Sequence, residues 1–184
     1  MMKKLHLFFL TGIWALGYAC QPPNESGAVP QQEIDIEGYK ASLIGKKMVL
    51  VDTLNQINHN EFVSPEKPLT LVSLYVASCN PCLIKMKKWT RLLAQSDDLN
   101  KARLVFYAKN ALKWYFNHQV NEVNEFPFPI YHDPADVFAR ANDAPQLTYV
   151  RTVLLDAEGT VIFAGNPMDE QADFDQLFEI LQSY

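Results

Sequence analysis

The sequence predicts an α/β domain: a central mixed β-sheet with helices on both faces and an N-terminal β-hairpin extension. Three observations carry this. Leu69–Val76 and Ala102–Ala108 are apolar almost without a break, the pattern of strands covered on both sides. Residues 81–95 and 169–182 instead place apolar side chains at helical spacing, the stripe of an amphipathic helix. Val150–Leu155 and Thr160–Ala164 flank Asp156-Ala-Glu-Gly159, a hairpin turn signal.

Taken in order, the chain opens on Met1-Met-Lys-Lys4 and continues through Leu5–Ala19, interrupted only by His6 and Thr11. A positive start and an apolar run describe a secretory leader over residues 1–19, too short to span a bilayer, which takes about 20 residues. Residues 20–33 hold Cys20 and a Pro-, Gly-, Ser- and Asn-containing tether. The domain is expected over 34–184. Its first strands are expected at Met48–Asp52 and Glu61–Val63, joined by a turn at Asn55–Asn60.

The helix over 81–95 buries Leu83, Met86, Trp89 and Leu93 and wets Lys85, Lys87, Lys88 and Arg91. A further helix is expected near Ala111–Val123, then a short extended piece at Phe128–Tyr131 between prolines. Asp133 is placed to cap a helix over Pro134–Ala141, with Pro134 in its first turn. The last helix presents Phe174, Leu177, Phe178 and Leu181 on one side. Trp89, Trp114, Phe116, Phe126 and Phe128 read as packing aromatics.

Composition narrows the function classes. The 184 residues are 48% hydrophobic and 20% charged, as in ordinary globular chains. Removing the leader leaves 14 basic against 21 acidic side chains, a formal charge of −7. No basic patch extends beyond one helix face, so no nucleic-acid partner is expected. No paired carboxylates or Ser-His-Asp set falls into a shared geometry.

The chemistry-bearing motif is Cys79-Asn80-Pro81-Cys82, between a predicted strand and a predicted helix. Two thiols at this spacing close a small disulfide ring. A helix starting at the first thiol aims unpaired N–H groups and its positive dipole end at that sulfur, which favours the thiolate. An exported location permits disulfides. Structural zinc needs four ligands, and the pair supplies two. His59, His118 and His132 offer an alternative copper site with the cysteines. Sco-like proteins that bind copper this way use a longer Cys spacing and a later His.

The element order resembles the thioredoxin fold, in its membrane-anchored extracytoplasmic branch of TlpA/ResA-like and AhpC/TSA-type redoxins. The most specific pieces are Val76-Ala-Ser-Cys-Asn-Pro-Cys82, Phe128-Pro-Ile-Tyr-His-Asp133 and Thr152-Val-Leu-Leu-Asp-Ala-Glu-Gly159. Leu16-Gly-Tyr-Ala-Cys20 resembles a bacterial lipobox, in which Cys20 would be diacylated. The resemblance implies a thiol–disulfide oxidoreductase of the cell envelope, lipid-anchored to a membrane and facing the periplasm or outside. Cys79 would attack and Cys82 resolve, while Asn80 and Pro81 set the turn. Arg151 and Thr152 would line the groove for a partner peptide. The expected partners are exported protein thiols and disulfides and a membrane or periplasmic redox partner, with no metal or organic cofactor beyond the redox-active disulfide.

Four positions depart from that family. Ser78 stands where Trp is usual, Ser73 where a buried acid assists proton transfer, Lys85 where Glu is common, and Arg151 where a cis-proline faces the cysteines. Each replaced acid and the added guanidinium favour thiolate over thiol. The sequence therefore predicts a thiolate pKa below about 8.5 and a disulfide more oxidising than thioredoxin's roughly −270 mV. The same losses keep a rival open, a non-catalytic redoxin-fold binding protein with a structural disulfide or weak metal site. A peroxiredoxin-like peroxidase is weaker, because Val72 and Val76 replace the Pro and Thr that precede a peroxidatic cysteine.

Overall fold

The computed structural model describes residues 34–57, 67–76, 80–109, 113–118, 120, 122 and 126–184, without the side chains of 80–83, 93, 113, 115 and 116. Five strands form one sheet in the order β3-β2-β1-β4-β5. These are β1 (Leu69–Val76), β2 (Ala102–Lys109), β3 (Ile130–His132), β4 (Thr152–Leu155) and β5 (Val161–Gly165). β1 runs parallel to β2 and antiparallel to β4, and β2 runs parallel to β3. β4 and β5 form the expected antiparallel hairpin. Its turn is held by Asp156, whose carboxylate accepts from the Glu158 and Thr160 amides at 3.0 and 2.7 Å. The sheet is mixed, as the sequence predicts.

Strand alternation divides the core in two. Leu69, Leu71 and Tyr75 of β1 and Leu104 and Phe106 of β2 face α2 (Asn80–Gln95) and α6 (Gln171–Ser183). That layer also holds Met86, Trp89, Phe126, Phe128, Leu177 and Leu181. Val72 and Leu74 of β1 and Val105 and Tyr107 of β2 point the other way. They meet α1 (Ile36–Leu43), α4 (Val137–Ala141) and α5 (Leu147–Val150) through Leu43, Phe138, Leu147 and Val150. β1 is therefore covered on both faces, which is why its sequence shows no polar alternation.

The N-terminal region differs from the expected hairpin. Helix α1, started by Asp35, whose carboxylate accepts from the Gly38 amide at 2.8 Å, precedes it. Met48–Asp52 forms no strand, and Glu61–Val63 lies outside the described residues. The Met48 amide instead donates to the Gly159 carbonyl at 2.8 Å, and Lys47 bridges Thr160 beside β5. The chain then crosses the α1 side of the sheet with Leu50, Val51 and Leu54 against the core. It reaches the opposite edge, where Gln56 bridges Tyr131 of β3 and the Ile57 amide donates to Ile130. Asn55–Ile57 is thus edge pairing, not turn. A strap that pairs for only a residue or two at each edge carries no period-2 signature.

Three further differences are local. Asp133 does cap a helix, accepting from the amides of Val137 at 2.6 Å and Phe138 at 3.0 Å. The helix starts only at Val137, because Pro134–Asp136 turn first and Asp136 adopts φ +56°. The strand expected from Val150 begins at Thr152, because Leu147–Val150 is helical. Within the helix expected over Ala111–Val123, α3 (Lys113–His118) is described, and its Trp114 is 73% exposed. Trp89, Phe126 and Phe128 are buried as read, and the Phe116 side chain lies outside the described residues.

Candidate functional site

β1 ends at Val76 and α2 begins at Asn80. Cys79 lies outside the described residues, as does Cys20. Asn80, Pro81 and Cys82 form the first turn of α2, a helix of 16 residues. Helix formation up to Asn80 is what places residue 79 next to a helix N-terminus, and proline suits such a first turn because its missing N–H would have had no partner there. Lys85 follows Cys82 by three positions, about one turn along α2.

Across the sheet end, Thr152 is the register partner of Ser73 and also pairs with Gly165. Ser73 and Thr152 are both buried, and their hydroxyls lie 3.1 Å apart. Thr152 therefore spends its side chain on a closed internal hydrogen bond. The Leu74 amide donates to the Arg151 carbonyl at 2.7 Å, so Arg151 is tied to β1 by its backbone.

Arg151 adopts φ +63°, ψ −29° as it closes α5, a left-handed conformation that costs a non-glycine residue about 1 kcal/mol. Its amide donates to Leu147 at 2.7 Å and its Nε to the Thr148 carbonyl at 3.3 Å. Its guanidinium then lies 3.7 Å from the Asp169 carboxylate, to which Lys85 also donates at 2.5 Å. The helix face following Cys82 and the start of β4 thus converge on one acid from the β5–α6 loop. Lys85 and Arg151 do not make a purely cationic setting; the two cations share an anion. Of the expected wet lysines, Lys85 and Lys88 are anchored to that loop, Lys88 through the Met168 carbonyl at 3.1 Å, while Lys87 and Arg91 are exposed.

Ser73, Tyr75, Lys85, Trp89, Arg151 and Asp169 border a cleft of only about 20 Å³. The Tyr75 hydroxyl is buried without a hydrogen-bond partner among the described residues, and burial pushes its pKa well above the ordinary tyrosine value. Beyond Met168 and Asp169 a larger groove of about 430 Å³ runs between α2 and α6 over Leu92 and Phe174. Among the described residues no three His, Cys, Asp or Glu side chains cluster as metal ligands would. His118 pairs with Glu122 at 2.7 Å and His132 lies in β3; His59 lies outside the described residues.

Asp169 and Asn166 are the site residues that the sequence reading passed over. The last helix expected from the sequence takes in Asp169, whereas α6 starts only at Gln171. The signal was present in Asn166-Pro-Met-Asp169, a turn sequence directly after a strand.

No family model and no curated protein matches the sequence. Solved structures do. A thioredoxin-like protein in its oxidized form is 14% identical with a TM-score of 0.55, covering 77% of this chain and 97% of that one. A thiol-disulfide oxidoreductase from Bacteroides fragilis NCTC 9343 is 10% identical with a TM-score of 0.54, covering 73% and 99%. A thiol-disulfide isomerase from Corynebacterium glutamicum is 13% identical with a TM-score of 0.51, covering 74% and 96%. The chain has the thioredoxin-like fold.

Proposed function

We propose that this thioredoxin-like chain is an extracytoplasmic thiol–disulfide oxidoreductase that exchanges disulfides with exported proteins through Cys79 and Cys82. The observation that supports the reading is that α2 begins at Asn80, so the backbone of Cys82 falls in its first turn and Cys79 directly precedes that helix in the sequence. The three similar structures, two of them named as thiol-disulfide enzymes, support the same class of chemistry.

In the reductive direction the Cys79 thiolate attacks one sulfur of a partner disulfide. A mixed disulfide forms and the other partner sulfur leaves as a thiolate. Cys82, once deprotonated, attacks Cys79, releases the second partner thiol and leaves the Cys79–Cys82 disulfide. Two electrons pass to the partner, and a dithiol of a second redox protein must restore them. Run backwards, the same steps oxidise a partner dithiol. Because Ser73 and Thr152 satisfy each other, the acid-assisted proton transfer of related proteins has no counterpart at that position. Asn80 and Pro81 set the turn, and the edge at Arg151–Thr152 is where a partner segment would lie. The redox-active disulfide is the only redox group required, and no nucleic acid is involved. The leader and Cys20 fit a lipid anchor to an envelope membrane, with a membrane or periplasmic protein as the electron partner.

Insulin reduction and reduced-ribonuclease oxidation, run on the chain and on Cys79→Ser, test the reading. The wild type should be active in at least one assay and the variant at background. Equal background rates in both would leave the non-catalytic binding protein, a reading favoured by Ser73, Ser78 and Arg151. For the anchor, Cys20→Ser should abolish fatty-acid labelling and release the protein from the membrane fraction.

A further inference from the structure

We infer that the groove between α2 and α6 is a docking site for a segment of a partner protein in which apolar side chains are flanked by carboxylates. The inference goes beyond the oxidoreductase reading and does not depend on the cysteine pair.

The groove has a volume of about 430 Å³, within the roughly 300–1,000 Å³ of pockets that hold ligands. Its floor is apolar: Leu92 and Phe174 are half-buried, and Pro167 and Met168 are buried. Phe174 stacks on Phe178 with ring centroids 4.4 Å apart, which holds its ring in place. Met168 adds an unbranched thioether that adapts to whatever packs on it. Such a floor accepts large apolar side chains, and their burial is what stabilises the complex.

Charge decides the kind of segment. The α2 wall carries Lys88 and Arg91, both exposed, and neither forms an ion pair among the described residues. Lys88 donates to the Met168 carbonyl at 3.1 Å, which leaves its charge without an anion. The other wall carries Asp169 and Glu170, and each is already met by a cation. Lys85 donates to Asp169 at 2.5 Å, with Arg151 at 3.7 Å, and Lys40 binds Glu170 at 2.9 Å. Gln171, also on that side, donates to Asp175 at 2.8 Å. A basic segment would meet two unpaired cations, whereas an acidic one finds the partners that the fold leaves open.

The shape favours an extended chain over a compact molecule. Met168 and Asp169 border both this groove and the small cleft at Arg151 and Thr152, so the two depressions adjoin. An extended segment can lie across both, a compact molecule in only one. Ion pairs at a solvated rim contribute little each, so Lys88 and Arg91 select and orient the segment while the floor holds it.

The test is fluorescence anisotropy of the full chain with three labelled peptides. These are Gly-Glu-Glu-Leu-Phe-Glu-Glu-Gly, a version with lysine for every glutamate, and a version with serine for Leu and Phe. The first should bind, and more weakly as salt is added. The lysine and serine versions should bind at least about tenfold more weakly. Arg91→Glu should weaken the first peptide about tenfold, and Arg91→Lys should leave it within about twofold. Phe174→Ala should weaken it about fivefold. Arg91 is exposed, so its variants should keep the wild-type urea midpoint. Equal binding of the glutamate and lysine peptides, indifference to Arg91→Glu, or no saturable binding up to about 1 mM overturns the inference. Binding to phosphatidylglycerol vesicles without peptide binding overturns it in favour of a lipid surface. Self-association lost in Arg91→Glu, again without peptide binding, overturns it in favour of a second copy of this chain. None of these readouts uses the insulin or ribonuclease assays that judge the oxidoreductase reading.

Discussion

Over one face of the sheet lie two helices of 16 and 13 residues and a knot of aromatic rings. Over the other lie a strap and helices of eight, five and four residues. Phe106 is the hub of the first, with ring centroids of Phe126, Tyr75, Trp89 and Phe128 at 5.0, 5.7, 6.1 and 6.1 Å. The second is pinned by polar contacts. Asn142 receives the Val49 amide at 2.7 Å, Tyr107 receives that of Val51 at 3.0 Å, and Lys40 of α1 binds the start of α6. Long amphipathic helices bury enough area to hold themselves down. Short helices and a strap do not, and need directional bonds to fix their position. The candidate site sits over the first face, yet the loop that completes it is anchored from the second.

Breaking each side separately should show the difference. Phe106→Ala, removing the aromatic hub, should cost about 4 kcal/mol in urea unfolding. A loss under about 2 kcal/mol would mean that the surrounding rings close the gap. Lys40→Met leaves Asp173 and Glu170 facing an apolar side chain and should cost about 3 kcal/mol. A loss under about 1 kcal/mol would mean that solvent replaces Lys40 at both carboxylates. Asp133→Ala removes two amide acceptors at the start of α4 and should cost about 1–2 kcal/mol.

The smallest effect is the response to alkali. Burial pushes the Tyr107 hydroxyl up to about 12, against the donation it receives from Val51. Lys40 is also raised: its burial acts downward, but hydrogen bonds to Glu37, Asp173 and Glu170 outweigh it. Groups whose pKa rises on folding stabilise the fold fully below their unfolded values, near 10, and lose that contribution as the pH climbs through the folded ones. The unfolding free energy should hold level to about pH 10 and then fall towards pH 12. Tyr107→Phe should flatten part of that fall while losing about 1 kcal/mol at neutral pH. A curve already falling between pH 7 and 9 would point to other groups.

The sequence reading reached furthest where burial is periodic. β1 was bounded at Leu69 and Val76 and α2 within one residue, because apolar run and apolar stripe are properties of neighbouring side chains. It misread Met48–Asp52 as a hairpin arm, since a few apolar residues look alike whether they pair along a strand or cross a sheet. It missed α5, whose single turn is held by tertiary neighbours and carries no stripe. Trp114, read as a core or element-packing aromatic, is 73% exposed, because residue type alone does not say which face a short helix buries.

For the candidate site, the sequence alone determined the cysteine motif, its place between strand and helix, and the unusual Ser73, Lys85 and Arg151 around it. Those depend on residue identity and on spacing within one segment. Only the tertiary structure decided that Ser73 closes on Thr152 and that Asp169, 84 positions after Lys85, balances both cations. Charge pairing across such separations depends on how β5 and α6 pack against α2, and local pattern does not encode it. A setting that looks wholly cationic along the chain is, once folded, two cations held by one carboxylate.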